Sequence, residues 1–159
     1  MALPHPGQFL LLLSKFLVLL TWLSLQSCSR SKMVYTSRCD DGKEFKHIKF
    51  KQLMDSLATY DQRYVEISGV YEEDKGLSAL VNDSLMVDHS SKNALWVDFS
   101  QDCPLYLSGT HTGLFEYSDG GFTMMKDKAI TIRGKIDLHN KGHLKQYKGA
   151  IERVSFIKL

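Results

Sequence analysis

Hydrophobic positions recur with two different periods along this chain. Phe50, Leu53, Met54, Leu57 and Tyr60 follow the i, i+3, i+4, i+7 spacing of one helical face, so residues 47–60 are predicted to form a helix that Asp61 ends. The period then drops to two. In "RYVEISGVYEE", Val65, Ile67, Gly69 and Tyr71 alternate with Glu66 and Ser68, the signature of a half-buried strand, and "EDKG" supplies the turn after it. "LSALVND" and "LMVD" read as a second strand, broken near Asn82 and Asp83. "NALWVDFS" is a third, with Leu95, Val97 and Phe99 on one face and Ala94, Trp96 and Asp98 on the other. "KAITIRGKIDL" is a fourth and "YKGAIERVSFIKL" a fifth. Residues 100–127, between the third and fourth, are irregular, carry Pro104 and several glycines, and leave room for a short helix near residues 112–117.

Five strands, with the longest irregular stretch between the third and fourth, predict a mainly β domain. The order and pattern resemble the OB-fold, a five-stranded Greek-key barrel. Gly69 and Gly134 lie inside "VEISGVY" and "ITIRGKI", where a coiled barrel strand needs a residue without a side chain. The resemblance covers residues 62–159, and the leading helix is expected to pack on one end of the barrel as an N-terminal lid. An incomplete β-sandwich is the alternative architecture.

The N-terminal segment is apolar from Phe9 to Leu25, apart from Ser14, Lys15, Thr21, Trp22 and Ser24. A membrane-spanning helix would need roughly 20 apolar residues and would hold Lys15 inside the bilayer, at roughly 2.5–3.5 kcal/mol if central. A signal peptide needs neither: Lys15 becomes its positive region and residues 16–23 its apolar region. The uncharged lead before Lys15 is long, so the true translation start stays open. The segment ends in Leu25-Gln26-Ser27-Cys28, which resembles the lipobox of bacterial lipoproteins, with Gln26 departing from the usual small residue. That resemblance implies that Cys28 is acylated and becomes the mature N-terminus. Ser29 beside it, and Arg30 and Lys32 in place of an acidic run, resemble an outer-membrane anchor facing the periplasm. More than one acyl chain makes such attachment stable, at about 0.8 kcal/mol per buried methylene. Three segments follow: a signal peptide over 1–27, a lipidated polar tether over 28–46, and the barrel domain with its leading helix over 47–159. The combination resembles small Bacteroidetes lipoproteins of unknown function.

Charge adds an asymmetry that the net value of +2 hides. Residues 55–125 hold 12 acids against 3 bases, and residues 126–159 hold 9 bases against 3 acids. Blocks of opposite sign within one small fold usually face and neutralise one another. The overall balance singles out no partner. Single-stranded nucleic acid would need aromatics amid basic residues. Trp96, Phe99 and Tyr106 sit instead beside Asp83, Asp88, Asp98 and Asp102, so no nucleic-acid partner is expected.

Candidate chemistry is sparse. His139 and His143 have the i, i+4 spacing of a helical zinc pair, but Asn140 and Gly142 favour a turn. An extended segment would part them by roughly 13 Å, so no metal and no cofactor is assigned. With Cys28 acylated, Cys39 and Cys103 are left as a candidate disulfide, or as two unpaired thiols with Cys103 buried beside Pro104. "GLSAL" lacks the second glycine of a nucleophile elbow, and Asp88-His89-Ser90 are neighbours only in sequence. His111, in "SGTHTG", is the best isolated base, but no catalytic residue is assigned.

These readings lead to a membrane-anchored lipoprotein whose barrel is a non-enzymatic binding or scaffolding module of the bacterial cell envelope. Its expected partners are the bilayer, through Cys28, and an envelope protein or glycan. The expected contact face comprises Tyr71, Trp96 and Tyr147 with His139, His143 and Lys145 of the loop beside them. An envelope enzyme acting on glycans or peptides, through His111 or an acidic pair, is the alternative.

Overall fold

The structure, a computed structural model, describes residues 32–82, 90–116 and 121–159. Cys28, its lipobox and the "LMVD" half of the expected second strand lie outside the described residues. In chain order the elements are β1 (Val34–Thr36), β2 (Lys46–His47), α1 (Phe50–Asp55), β3 (Tyr64–Asp74), β4 (Leu77–Val81), β5 (Leu95–Val97), β6 (Tyr106–Leu107), β7 (Lys128–Asp137) and β8 (Ala150–Lys158). Short 3-10 turns occupy Leu57–Tyr60, Ser91–Asn93 and His143–Lys145. Among the described residues no helix is long and apolar enough to cross a membrane.

The long strands close on themselves. β3 pairs with β4, β4 with β5, β5 with β8, β8 with β7, and β7 returns to β3. Every pair is antiparallel except β5–β8. This is the expected mainly β architecture, a closed mixed barrel of five strands. Alternation decides which residues fill it. Val65, Ile67 and Tyr71 of β3, Leu95 and Val97 of β5, and Ile130, Ile132 and Ile136 of β7 all point inward and are buried. Closure also brings backbones close. A β-carbon on Gly69 would meet the carbonyl oxygen of Val81, and one on Gly134 would lie 2.7 Å from the carbonyl oxygen of Glu152. Gly134 sits where the β7–β8 register shifts, between Arg133 and Lys135, and the extra residues fall on β8.

Three expectations need correction. The helix over residues 47–60 is shorter: His47 pairs with Glu66 in the parallel β2–β3 ladder, and α1 ends at Asp55. The apolar period persists, since Phe50, Leu53, Leu57 and Tyr60 are all buried. Two hydroxyls break the helix by bonding to nearby carbonyls, Ser56 to Gln52 at 2.8 Å and Thr59 to Ser56 at 2.8 Å. Next, the polar stretch expected to be a tether to Lys46 joins the fold from Met33 onward. β1 pairs with both β8 and β6, Tyr35 enters the core, and the Leu159 amide donates to the Met33 carbonyl at 2.9 Å. A three-residue strand is too short to show a period. Last, the segment between β5 and β7 holds β6, bridged from Tyr106 to Gly113, with a turn in place of a helix over residues 114–116. It sends Leu105, Leu114 and Met125 into the core.

Candidate functional site

Trp96 is the centre of the outer face. Its neighbours Leu95 and Val97 turn into the barrel, so alternation turns the indole out. On either side the register places an alanine: Ala79 of β4 and Ala150 of β8. These small residues leave room for the indole to lie across the sheet. Tyr147 packs on it with ring centroids 5.5 Å apart, tilted at 51°. Ala79, Val81, Ala94 and Tyr147 form a second apolar cluster outside the barrel, with Trp96, Val70 and Leu77 against it. Burial pushes the Tyr147 phenol up, and the negative charge of Glu72 adds to the shift.

The loop between β7 and β8 covers this cluster. Its departure is fixed by two carboxylates: Asp61 Oδ1 accepts from the Leu138 amide at 3.0 Å, and Asp137 Oδ1 from the His139 amide at 2.8 Å. Burial alone would raise the Asp137 carboxyl, but bonds from the His139 amide and ring and the Asn140 amide carry it below its ordinary value. The Asn140 side chain donates to Asp98 Oδ2 at 2.8 Å and accepts from the Gly142 amide at 3.1 Å. The Tyr147 amide donates to the Lys141 carbonyl at 3.2 Å, and the Trp96 amide to the Gly149 carbonyl at 3.1 Å. His143 lies over the β3–β4 turn, 3.5 Å from where a β-carbon of Gly76 would stand.

The loop's apex is strained and exposed. Gly142, Leu144 and Lys145 all have left-handed backbones, at φ of 62°, 56° and 55°. For a side-chain-bearing residue this conformation costs roughly 1–2 kcal/mol. The strain presents Leu144 to solvent at 72% exposure, the highest among the exposed large hydrophobic residues described. Lys141, His143, Lys145 and Lys148 are exposed around it. Backbone strain of this kind persists only where surrounding contacts over-determine it, and the loop's seat on Trp96 and Tyr147 supplies those contacts.

The structure therefore gathers five of the six residues expected on the contact face. Trp96 and Tyr147 form its floor, and His139, His143 and Lys145 its covering loop. Tyr71 is a correction: it is only 2% exposed and lies inside the barrel. Its hydroxyl pairs with Ser78 Oγ at 3.0 Å, which in turn donates to the Val97 carbonyl at 2.8 Å. Burial pushes the Tyr71 phenol up to about 12. Parity explains the difference, because Tyr71 shares a strand face with Val65 and Ile67. The two histidines take separate partners, His139 with Asp137 and His143 with the β3–β4 turn. Donor atoms of Asp61, Asp137 and His139 lie within 4.8 Å of one another, yet both carboxylates already hold backbone amides at the base of the loop.

Cys39 and Cys103 are joined in a disulfide with α-carbons 5.1 Å apart. Beside it is a cluster that nothing in the sequence pattern signals. Asp40 Oδ1 accepts from Arg153 Nε at 3.0 Å, from Arg153 Nη2 at 2.9 Å and from the Tyr64 hydroxyl at 3.2 Å. His111 is exposed and lines an open cleft of about 610 Å3 with Arg38, Cys39 and Asp102. Phe99 stacks edge-on against Tyr71 and Phe115, and with Cys103 and Leu105 it lines a second cleft of about 450 Å3. Comparison with family models, with curated proteins and with solved structures returns no match.

Proposed function

We propose that this protein is a lipid-anchored component of the bacterial cell envelope, whose barrel is a non-enzymatic binding module and presents the β7–β8 loop to a protein or glycan partner. The observation that carries this reading is the position of that loop relative to where the chain enters the barrel. Val34 pairs with Lys158 at the end of β8, and Trp96 pairs with Ala150 at its start. The β7 partners of Lys158 and Ala150, Thr131 and Asp137, are six residue steps apart, about 20 Å along a strand. The loop is thus at the far end of the strand from the chain's point of entry.

Cys28 precedes Met33 by five residues, which reach about 18 Å at most. An acyl chain on Cys28 therefore holds the β1 end near the bilayer, while Leu144 and its lysines face away from it, toward the periplasm. The strained backbone beneath Leu144 supports a contact role, since a solvated loop gains nothing from holding a leucine in this conformation.

Two measurements test the reading. Mass spectrometry of the mature N-terminus is expected to find an acylated Cys28, and Cys28→Ser is expected to release the protein from membranes. A photo-crosslinking residue at position 144 is expected to capture a discrete envelope partner, and one at Thr36 is not. Equal capture at both positions, or none at position 144, removes the binding role. An unmodified Cys28 removes the anchor.

A further inference from the structure

We propose that Cys39–Cys103 is a reversible thiol–disulfide exchange site, reduced by a dithiol, and that Asp40 stabilises its dithiol form. The inference does not depend on what the outer face binds.

Asp40 carries it. Its side chain is 1% exposed, and all three of its donors fall on Oδ1. Oδ2 is buried and has no hydrogen-bond partner among the described residues. A carboxylate oxygen of Asp40 lies within 4.8 Å of the sulfurs of both Cys39 and Cys103. A disulfide has no proton to give, so the oxidised form leaves Oδ2 unsatisfied. A buried acceptor in that state bears its desolvation cost uncompensated. Reduction creates two S–H groups on sulfurs that lie within 4.8 Å of this carboxylate, and a thiol is a donor, if a weak one. The dithiol form therefore satisfies an atom that the disulfide form cannot.

Arg153 holds this arrangement. It sits in the irregular stretch of β8 opposite the register shift, with a left-handed φ of 49°, and bulges re-aim side chains in this way. Its guanidinium binds Asp40 Oδ1 and the Cys39 carbonyl, at 2.9 Å from Nη2 in each case. The carboxylate is thereby pinned by Oδ1, and Oδ2 is left without a donor among the described residues.

Access is asymmetric. Cys103 is buried and lines the 450 Å3 cleft, and half-buried Cys39 lines the 610 Å3 cleft together with Arg38. Arg38 and Asp102 line that cleft with opposite charges, so it is the greater exposure of Cys39 that makes its sulfur the point of attack. A thiolate of the reductant attacks Cys39 Sγ, the S–S bond breaks, and the electron pair goes to Cys103 Sγ. That sulfur takes a proton from water and donates its S–H to Asp40 Oδ2. The reductant's second thiolate attacks its own sulfur in the mixed disulfide and releases Cys39, which is protonated in turn. Two electrons and two protons pass to the protein, and the dithiol leaves as a disulfide.

The test equilibrates the protein with mixtures of reduced and oxidised dithiothreitol, and reads the oxidised fraction by thiol alkylation and mass. Reversible reduction with the circular dichroism of the fold retained is expected. Asp40→Asn is expected to shift the equilibrium constant toward the disulfide by about tenfold, on the scale of one buried unsatisfied acceptor. An unchanged constant in a folded Asp40→Asn protein overturns the proposal, as does reduction that occurs only with global unfolding. Should Asp40→Asn fail to fold, the infrared S–H band of the reduced wild-type protein decides: a band displaced by hydrogen bonding upholds the role of Asp40, and an undisplaced one overturns it.

Discussion

Gly142 rests against the indole face of Trp96: at φ +62°, a β-carbon in its place would fall within 2.5–2.8 Å of three indole carbons. The loop is therefore moulded to this ring. Trp96 is a seat for residues 138–149, with Leu144 exposed at the apex of the loop they form.

Gly142→Ala is expected to lift that loop. The substitution combines a left-handed backbone with overlap on a packed ring, together about 1–3 kcal/mol. In a chain that begins at Cys28, Trp96 is the only tryptophan, because Trp22 precedes that point. Its emission is expected to shift red, and the denaturant midpoint to fall. An unchanged emission maximum would show that the loop does not depend on this contact.

Much of this architecture is written in strand parity. Val65, Ile67, Leu95, Val97, Ile130 and Ile132 are legible as barrel-facing because each long strand repeats its period several times. The same rule, followed through, separates Tyr71 from Trp96, since one falls with the inward set and the other against it. What escapes is short or non-local. β1 has three residues, and its strand character comes from pairing with β8 and β6. Asp40 meets Arg153 across 113 positions of sequence, so no window along the chain contains both. The loop's position over Trp96 depends on bonds such as Asn140 to Asp98, which also join distant segments.

The disulfide is expected to contribute substantially to stability. It closes a loop of 64 residues and ties the segment after β1 to the one after β5. Chain entropy assigns about 4 kcal/mol to a loop of that length. Replacing both cysteines by serine is expected to lower the unfolding free energy by about that amount in urea, with the barrel's circular dichroism retained. A loss below about 1 kcal/mol would mean that the two segments are already held by other contacts.

Tyr71 gives the barrel an alkaline limit. Its phenol is raised by burial from 10.0 to about 12, so below pH 10 the folded and unfolded chains both keep the proton. As pH rises from about 10 to about 12, the unfolded chain ionises first and stability falls, by up to about 1.4 kcal/mol per pH unit. Tyr71→Phe removes this dependence. It also removes the bond to Ser78, a loss of about 1 kcal/mol at neutral pH. Urea unfolding of both proteins between pH 8 and about 12 checks the sign: the wild-type curve is expected to descend more steeply over that window. Parallel curves would exclude Tyr71 as the source.

Leu144→Gly is expected to separate stability from contact. At φ 56° glycine escapes the roughly 1–2 kcal/mol that a leucine bears there. It returns part of that gain through the greater freedom of the unfolded chain, about 0.5–1 kcal/mol. The net expectation is an unfolding free energy that holds or rises by up to about 1.5 kcal/mol, since the leucine side chain is largely in solvent and little packing is lost. Capture of a partner by a crosslinker at the neighbouring Lys145 is expected to drop at the same time. Leu144→Gln keeps the strain and removes the apolar tip, so it should lose capture without gaining stability. If Leu144→Gly proves destabilising, the leucine is structural, and the contact role of the apex fails with it.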